Sequence, residues 1–132
     1  MKYVIDTHAL IWFLEGNSLL STKAKFILSQ PDSQLIIPAT TLAKAVWVVE
    51  RGRTSIPDPK DVISVVNADP RVVIYPLDKE VIEITMSLSV IQEMHDRQIV
   101  ATALVLASKG DVVQLLTCDK NITESGLIAI VW

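Results

Sequence analysis

Short apolar runs alternate along this chain with longer segments in which apolar residues recur at helical spacing. The apolar runs predict strands at residues 2–5, 35–37, 72–75, 112–116 and 128–131. The periodic segments between them predict helices at residues 7–15, 22–29, 38–49, 59–69, 79–88 and 97–107. Ser21, Asp78 and Asp96 stand where N-caps are expected, and Pro38 stands where a proline favours a helix start.

The alternation of strands and helices indicates an α/β fold. The predicted strands are short and mostly apolar on both faces, which is typical of a parallel sheet covered by helices on each side. No repeat, low-complexity tract or linker divides the sequence. We therefore expect one domain over residues 1–132, built as a three-layer α/β/α sandwich.

Composition narrows the class of protein without naming a function. Half of the 132 residues are hydrophobic, which is enough to form a core without disulfide bonds. The single cysteine, Cys118, excludes an intramolecular disulfide and suits a reducing cytoplasm. No apolar run is long enough to span a bilayer, so no membrane partner is expected. The net charge of −3 argues against a protein that coats nucleic acid, although local binding stays possible.

Three aspartates occur where the predicted strands and helices meet. Asp6 follows the first strand, Asp119 follows the fourth in LLTCD, and Asp96 opens a helix in HDRQIVATAL. Carboxyl ends of parallel strands lie at one edge of a sheet, so Asp6 and Asp119 converge if their strands are neighbours. Each residue alone is as well explained as a helix cap or turn residue. Together they would favour a hard cation such as Mg²⁺ or Mn²⁺, which supports phosphodiester cleavage.

Three motifs resemble the PIN domain family, and in particular the VapC-like toxin ribonucleases. They are YVIDTHALIWFL, HDRQIVATAL and LLTCD, and the resemblance runs over essentially the whole chain. It implies an α/β/α sandwich and a ribonuclease that depends on Mg²⁺ or Mn²⁺. By motif match Asp6, Asp96 and Asp119 would be the catalytic and metal-binding residues. Thr117 resembles a polar position that helps to hold the last acid.

Lys44 departs from the pattern of that family. The family has a glutamate in a segment like LxEIxxLxxxGR, whereas this chain reads TLAKAVWVVERGR with Lys44 at the glutamate position. Three interpretations follow. Lys44 could pair with Asp6 or Asp96 and impair the site, it could contact the scissile phosphate of an active enzyme, or it could extend into solvent with little effect. Metal affinity should fall, because a ligand is replaced by a positive charge.

Several other residues have both a functional and a structural interpretation. Arg97 could bind RNA phosphate or form a salt bridge, and Asn121 could reach a metal-bound water or cap a helix. His8 is expected to be structural, His95 to lie at the surface and Cys118 to be buried. The helix around Trp47 is apolar over more than one face, which favours a homodimer, as the family resemblance also implies.

Two functions from different classes remain open at this point. The first is an endoribonuclease that forms the toxin half of a toxin–antitoxin pair. The second is a catalytically silent module of the same fold that binds RNA or an antitoxin protein. A receiver-like signalling domain is disfavoured, because only one acid follows the first strand and no glycine-rich phosphate loop is present.

Overall fold

A computed structural model describes all residues from 1 to 132. Five strands form a single parallel sheet in the order β3-β2-β1-β4-β5. The strands are β1 Lys2–Ile5, β2 Gln34–Pro38, β3 Val72–Tyr75, β4 Val113–Leu116 and β5 Ile130–Val131. The predicted α/β/α sandwich with a central parallel sheet is confirmed.

Seven helices connect and cover the strands. They are α1 Thr7–Glu15, α2 Thr22–Ser29, α3 Ala39–Glu50, α4 Pro59–Ala68, α5 Lys79–Thr85, α6 Met94–Ser108 and α7 Lys120–Ser125. Ser21 and Asp78 are N-caps as predicted, since their side chains accept hydrogen bonds from Ala24 N and Val81 N. None of the helices has the length and apolar character needed to cross a membrane.

Two apolar cores lie on opposite faces of the sheet. Successive residues of a strand point to opposite faces, so Ile5 belongs to one core and Val4 to the other. Helices α1 to α4 pack on the face of Ile5, and α5 to α7 pack on the face of Val4. The strands are therefore covered on both sides, which explains their continuous apolar runs.

The helix after β3 is shorter than predicted. It ends at Thr85, and Leu88 is buried in the turn that follows it. Val81 is buried as expected, but Ile82 is 49% exposed, so its predicted place on the inner side is wrong. A helix of seven residues covers the sheet with one narrow face, and Ile82 lies beside that face.

The order of the strands fixes where a crevice forms. From β1 the chain adds β2 and β3 on one side, then crosses to place β4 on the other side of β1. The direction of strand addition thus reverses between β1 and β4. In open parallel sheets ligands bind at such a reversal, outside the carboxyl ends of the strands. Asp6 and Asp119 follow these two strands directly or closely.

Candidate active site

Asp6 is a buried carboxylate at the end of β1. Its side chain caps α1 by accepting a hydrogen bond from Ala9 N at 2.8 Å, and only 4% of the residue is exposed. Burial raises the pKa of Asp6, and the charge of Asp119 adds to the rise, while hydrogen bonds from Thr117 and Ala9 oppose it. The capping interpretation is therefore correct. The Asp6 carboxylate is also repelled by a second acid, Asp119, which follows the neighbouring strand β4.

Thr117 joins the ends of β1 and β4 through one hydroxyl group. It is fully buried, its Oγ1 donates to Asp6 Oδ2, and the same oxygen accepts from Asp119 N at 3.0 Å. The Asp119 side chain in turn caps α7, where Oδ1 accepts from Ile122 N at 3.1 Å. The hydroxyl consequently fixes the distance between the two chain segments that carry Asp6 and Asp119.

Asp96 lies in the first turn of α6, and the prediction that it caps this helix is wrong. The helix begins at Met94, and its N-cap is Glu93, whose Oε2 accepts from Asp96 N at 2.7 Å. The longer side chain of Glu93 reaches the free N–H, so the helix starts three residues earlier than predicted. The carboxylate of Asp96 therefore does not cap the helix.

The pKa of Asp96 is raised to about 6 from an ordinary value of 3.8. Burial is the largest cause, followed by the negative charges of Asp119 and Glu93 and, more weakly, of Asp6. Lys44 acts in the opposite direction. The structure therefore brings the three aspartates named from sequence near enough to repel one another at the carboxyl edge of the sheet.

Lys44 sits on α3 next to this group of acids without pairing with any of them. No carboxylate oxygen lies within 4.0 Å of its ammonium, so the predicted ion pair with Asp6 or Asp96 is not formed. Its charge still lowers the pKa of both Glu93 and Asp96. Lys44 is half-buried in a groove with Thr40, Trp47 and His95, so it does not extend freely into solvent.

Glu93 belongs to the site and was missed by sequence reasoning. Partial burial raises the pKa of Glu93, but hydrogen bonds from His95 and from backbone N–H groups lower it by more. The pKa of Glu93 is therefore below its ordinary value. His95 Nδ1 lies 2.7 Å from Glu93 Oε1. The available signal was a glutamate three residues before Asp96, the spacing of a side-chain cap and its N–H partner.

Three smaller expectations are settled by the same region. Arg97 donates from Nε to the carbonyl of Ile91 and forms no salt bridge with an acid, so that interpretation is wrong. Cys118 is exposed, which contradicts its predicted burial, because β4 ends at Leu116 and the chain then turns outward. Asn121 is not the cap of the following helix, since Asp119 has that role.

The acids suit a hard divalent cation in chemistry but do not form a finished binding site. Carboxylate oxygens are the ligands such ions prefer, and the pKa values of Asp6 and Asp96 are raised mainly by burial and to a smaller extent by the charges of the neighbouring acids. Beside Asp6, the hydroxyl of Thr7 is buried without a hydrogen-bond partner. However, no three acidic, histidine or cysteine side chains stand close enough to share one ion. A bound ion would require the carboxylates to draw closer together.

Replacing Thr117 with valine should lower the free energy of unfolding by about 2 kcal/mol, because Asp6 Oδ2 and Asp119 N lose their shared partner in a buried place. Urea unfolding would measure the change. Thr117→Ser is the matched control, since it keeps the hydroxyl and loses only a methyl group worth about 1 kcal/mol. Equal stabilities for the valine and serine variants would contradict the role assigned to this hydroxyl.

Comparison with known proteins gives a consistent family match. The family model described as "PIN domain" matches residues 3–126. None of the curated protein sequences is significantly similar to this chain. Among solved structures, VapC20 of Mycobacterium tuberculosis, described as a sarcin-ricin loop cleaving toxin, is 14% identical with a TM-score of 0.71 over 95% of both chains.

Two further solved structures have the same fold. VapBC2 of Rickettsia felis, bound to a DNA fragment from its promoter, is 13% identical with a TM-score of 0.68, covering 99% of this chain and 98% of that one. FitAcB of Neisseria gonorrhoeae is 17% identical with a TM-score of 0.67, covering 97% and 95%. At these identities the likeness establishes the fold, and the activity has to be argued from the site.

Proposed function

Because this chain belongs to the PIN domain family, we propose that it is an endoribonuclease of the VapC toxin type. Its activity depends on Mg²⁺ or Mn²⁺, and Lys44 weakens its hold on the ion. Asp6, Asp96 and Asp119 are the catalytic and metal-binding residues in this proposal. The domain extends over residues 1–132.

One observation carries the proposal. Asp96 lies partly buried at the start of α6, and its pKa is raised first by burial and then by the negative charges of Asp119, Glu93 and, most weakly, Asp6. Three negative charges that lie near one another, where the order of strand addition reverses, make folding less favourable. They therefore give the folded chain no gain in stability. A cation that binds all three would offset the repulsion, which is the arrangement expected of a phosphodiester-cleaving site.

The side chains around the acids have separate tasks in this proposal. A bound divalent ion would activate water and stabilise the charge that develops on the phosphate. Thr117 acts by position, because its hydroxyl is already used by Asp6 and Asp119. Lys44 and Arg97 provide positive charge for the RNA backbone on either side of Asp96.

A second candidate function is supported by the geometry of the acids. The carboxylates do not approach one another closely enough to share an ion, and the charge of Lys44 already partly neutralises Asp96. A PIN-fold module that binds RNA or an antitoxin without cleavage would need no tighter arrangement. The two functions differ in one respect that can be measured, which is divalent-dependent cleavage.

Partners and location are parts of the same proposal. An antitoxin protein is the expected partner, since similar structures were solved as VapBC complexes. A homodimer is supported by exposed apolar side chains around α5, where Ile82, Met86 and Val90 are 49%, 75% and 64% exposed. The cytoplasm is the proposed location, in keeping with the single free cysteine.

Cleavage of RNA by the purified chain tests the proposal directly. We expect slow cleavage in Mn²⁺, none in EDTA, and at least about a hundredfold loss in Asp119→Asn, because removing one ligand charge weakens both ion binding and transition-state stabilisation. Asparagine is also a good N-cap, so this variant keeps α7 and isolates the charge. A chain that binds RNA but never cleaves it with any divalent ion would establish the silent module instead.

A further inference from the structure

An exposed aromatic side chain and three cations without a salt bridge lie close together beside the candidate active site. Thr40, Lys44, Trp47 and Arg51 are spaced four, three and four residues apart on α3, so they share one face of the helix. We call these four residues the α3 stripe. At a rise of about 1.5 Å per residue, the stripe extends about 10 Å beyond Lys44 to Arg51.

The stripe begins where α3 meets α6. Thr40 Oγ1 donates to Gln98 Oε1 at 2.8 Å, which joins the start of α3 to the first turns of α6. A groove with a volume of about 650 Å³ runs from this junction past His95 and Lys44 to Trp47. Its size is within the range of sites that hold small organic ligands, about 300–1,000 Å³. His95 and Gln98 of α6 line this groove, so a strand lying in it would pass close to the start of α6, where Asp96 lies.

Trp47 presents its ring to this groove and to two arginines. The residue is 46% exposed, which is high for a tryptophan. The guanidinium carbon of Arg51 lies 4.6 Å from the centre of the ring, and that of Arg53 lies 5.8 Å from it. Both arginines are exposed, and neither forms a salt bridge. Their donors are thus available to an anion, and the part of the ring that the arginines leave uncovered is available to a flat partner.

Aromatic rings flanked by free guanidinium groups are the elements with which proteins bind single-stranded nucleic acid. We propose that the α3 stripe, with Arg53, binds single-stranded RNA. A base stacks on Trp47, Arg51 and Arg53 contact the flanking phosphates, and Lys44 leads the backbone toward Asp96. This inference rests on the proposed function only in taking the bound strand to be the substrate.

Charge favours RNA over a second copy of the chain on this face. A two-fold interface places the same patch of both subunits together. Here it would bring the cations Lys44, Arg51 and Arg53 toward their own copies, and like charges at an interface are unfavourable. A polyanion has the opposite, complementary charge. The exposed apolar residues Ile82, Met86 and Val90 around α5 do not belong to the α3 stripe.

Binding in the absence of divalent ions tests the inference separately from cleavage. A fluorescein-labelled single-stranded RNA of mixed sequence would be titrated with protein in EDTA, and its anisotropy followed at several salt concentrations. We expect Trp47→Ala to weaken binding about tenfold, the loss typical of one stacked base. Arg51→Gln should lower the slope of log K against log salt concentration by about 0.7, the value for one phosphate contact on a single strand.

Phe26 provides a matched control outside the α3 stripe and its groove. It is a 62% exposed aromatic residue on α2 with Lys23 and Lys25 close by in sequence, so Phe26→Ala removes a comparable ring in a basic setting. Trp47→Phe should retain part of the affinity, because a smaller ring still stacks. Bound RNA should also quench tryptophan emission in the natural chain and do so less in Trp47→Phe.

Three results would overturn the inference. These are no binding of RNA in EDTA, equal affinity of Trp47→Ala and the natural chain, or an equal loss in Phe26→Ala. If Trp47→Ala changed the mass in solution and left RNA affinity intact, the face would belong to a second copy. Binding that depends on Trp47 without any cleavage in Mn²⁺ would support this inference and reject the proposed nuclease, so the two can fail independently.

Discussion

Lys44→Glu is expected to bind Mn²⁺ at least tenfold more tightly than the natural chain and to cleave RNA faster. The substitution removes a positive charge that acts on Asp96 and Glu93, and it adds a carboxylate on the same side of the site. At an effective dielectric near 20, a unit charge about 8 Å from a divalent ion contributes about 4 kcal/mol. Tenfold in affinity needs only about 1.4 kcal/mol, so even strongly screened interactions suffice.

Calorimetry with Mn²⁺, together with cleavage rates, would measure this effect. Lys44→Gln separates its two causes, because it removes the charge without adding a ligand, and we expect it to fall between the natural chain and Lys44→Glu. Lys60→Glu is a control for net charge, since Lys60 is exposed at the start of α4 and forms no ion pair. Equal Mn²⁺ affinity in Lys44→Glu and the natural chain would show that Lys44 does not limit the site.

Asp96→Asn should have opposite effects on stability and on activity. In the folded chain the pKa of Asp96 is raised to about 6, so folding favours the protonated form. Its contribution to stability is fully present below pH 3.8 and is lost as the pH rises through about 6. The rise in pKa corresponds to about 3 kcal/mol, and partial exposure of the residue reduces this to about 1–2 kcal/mol.

Asparagine cannot ionise, so Asp96→Asn should be about 1–2 kcal/mol more stable than the natural chain at pH 7.5 and equal to it near pH 3.5. Urea unfolding in EDTA at both pH values would measure the difference. Cleavage and stabilisation by Mn²⁺ should both be lost. Asp32→Asn is the control, because it removes a carboxylate from an exposed turn. A destabilised Asp96→Asn at neutral pH would refute the proposed repulsion.

The sheet and its order were accessible from sequence because both depend on local patterns. Apolar runs such as Val72 to Tyr75 are strands in the structure, and the placement of β4 beside β1 brings Asp6 and Asp119 to one edge as anticipated. The ends of the helices and strands were harder to predict from the sequence. The last strand was predicted at residues 128–131 but contains only Ile130 and Val131. The apolar run in the sequence extends beyond the residues that form the hydrogen-bond ladder.

The details of the site depend on distances that a linear pattern does not contain. Asp96 is a favoured N-cap residue type and Glu93 is not, yet in the folded chain Glu93 Oε2 accepts the hydrogen bond from Asp96 N. Arg97 was expected to meet an acid, but the nearer acceptor is the carbonyl of Ile91. That Lys44 replaces a family glutamate stays a prediction, whereas its lack of an ion pair is a property of the folded chain.

The link made by Thr117 has a consequence for how the protein is synthesised. Its hydroxyl joins Asp6 to a segment 111 residues later in the chain, and Asp119 follows that segment. Ribosomes make the chain from its N-terminus at about 5–20 residues per second, so β1, β2 and β3 exist for several seconds before β4 is made. During that interval the site lacks Asp119. It also lacks β4, the neighbour of β1 that positions Asp119. The proposed ribonuclease would therefore be inactive until β4 and Asp119 have been made.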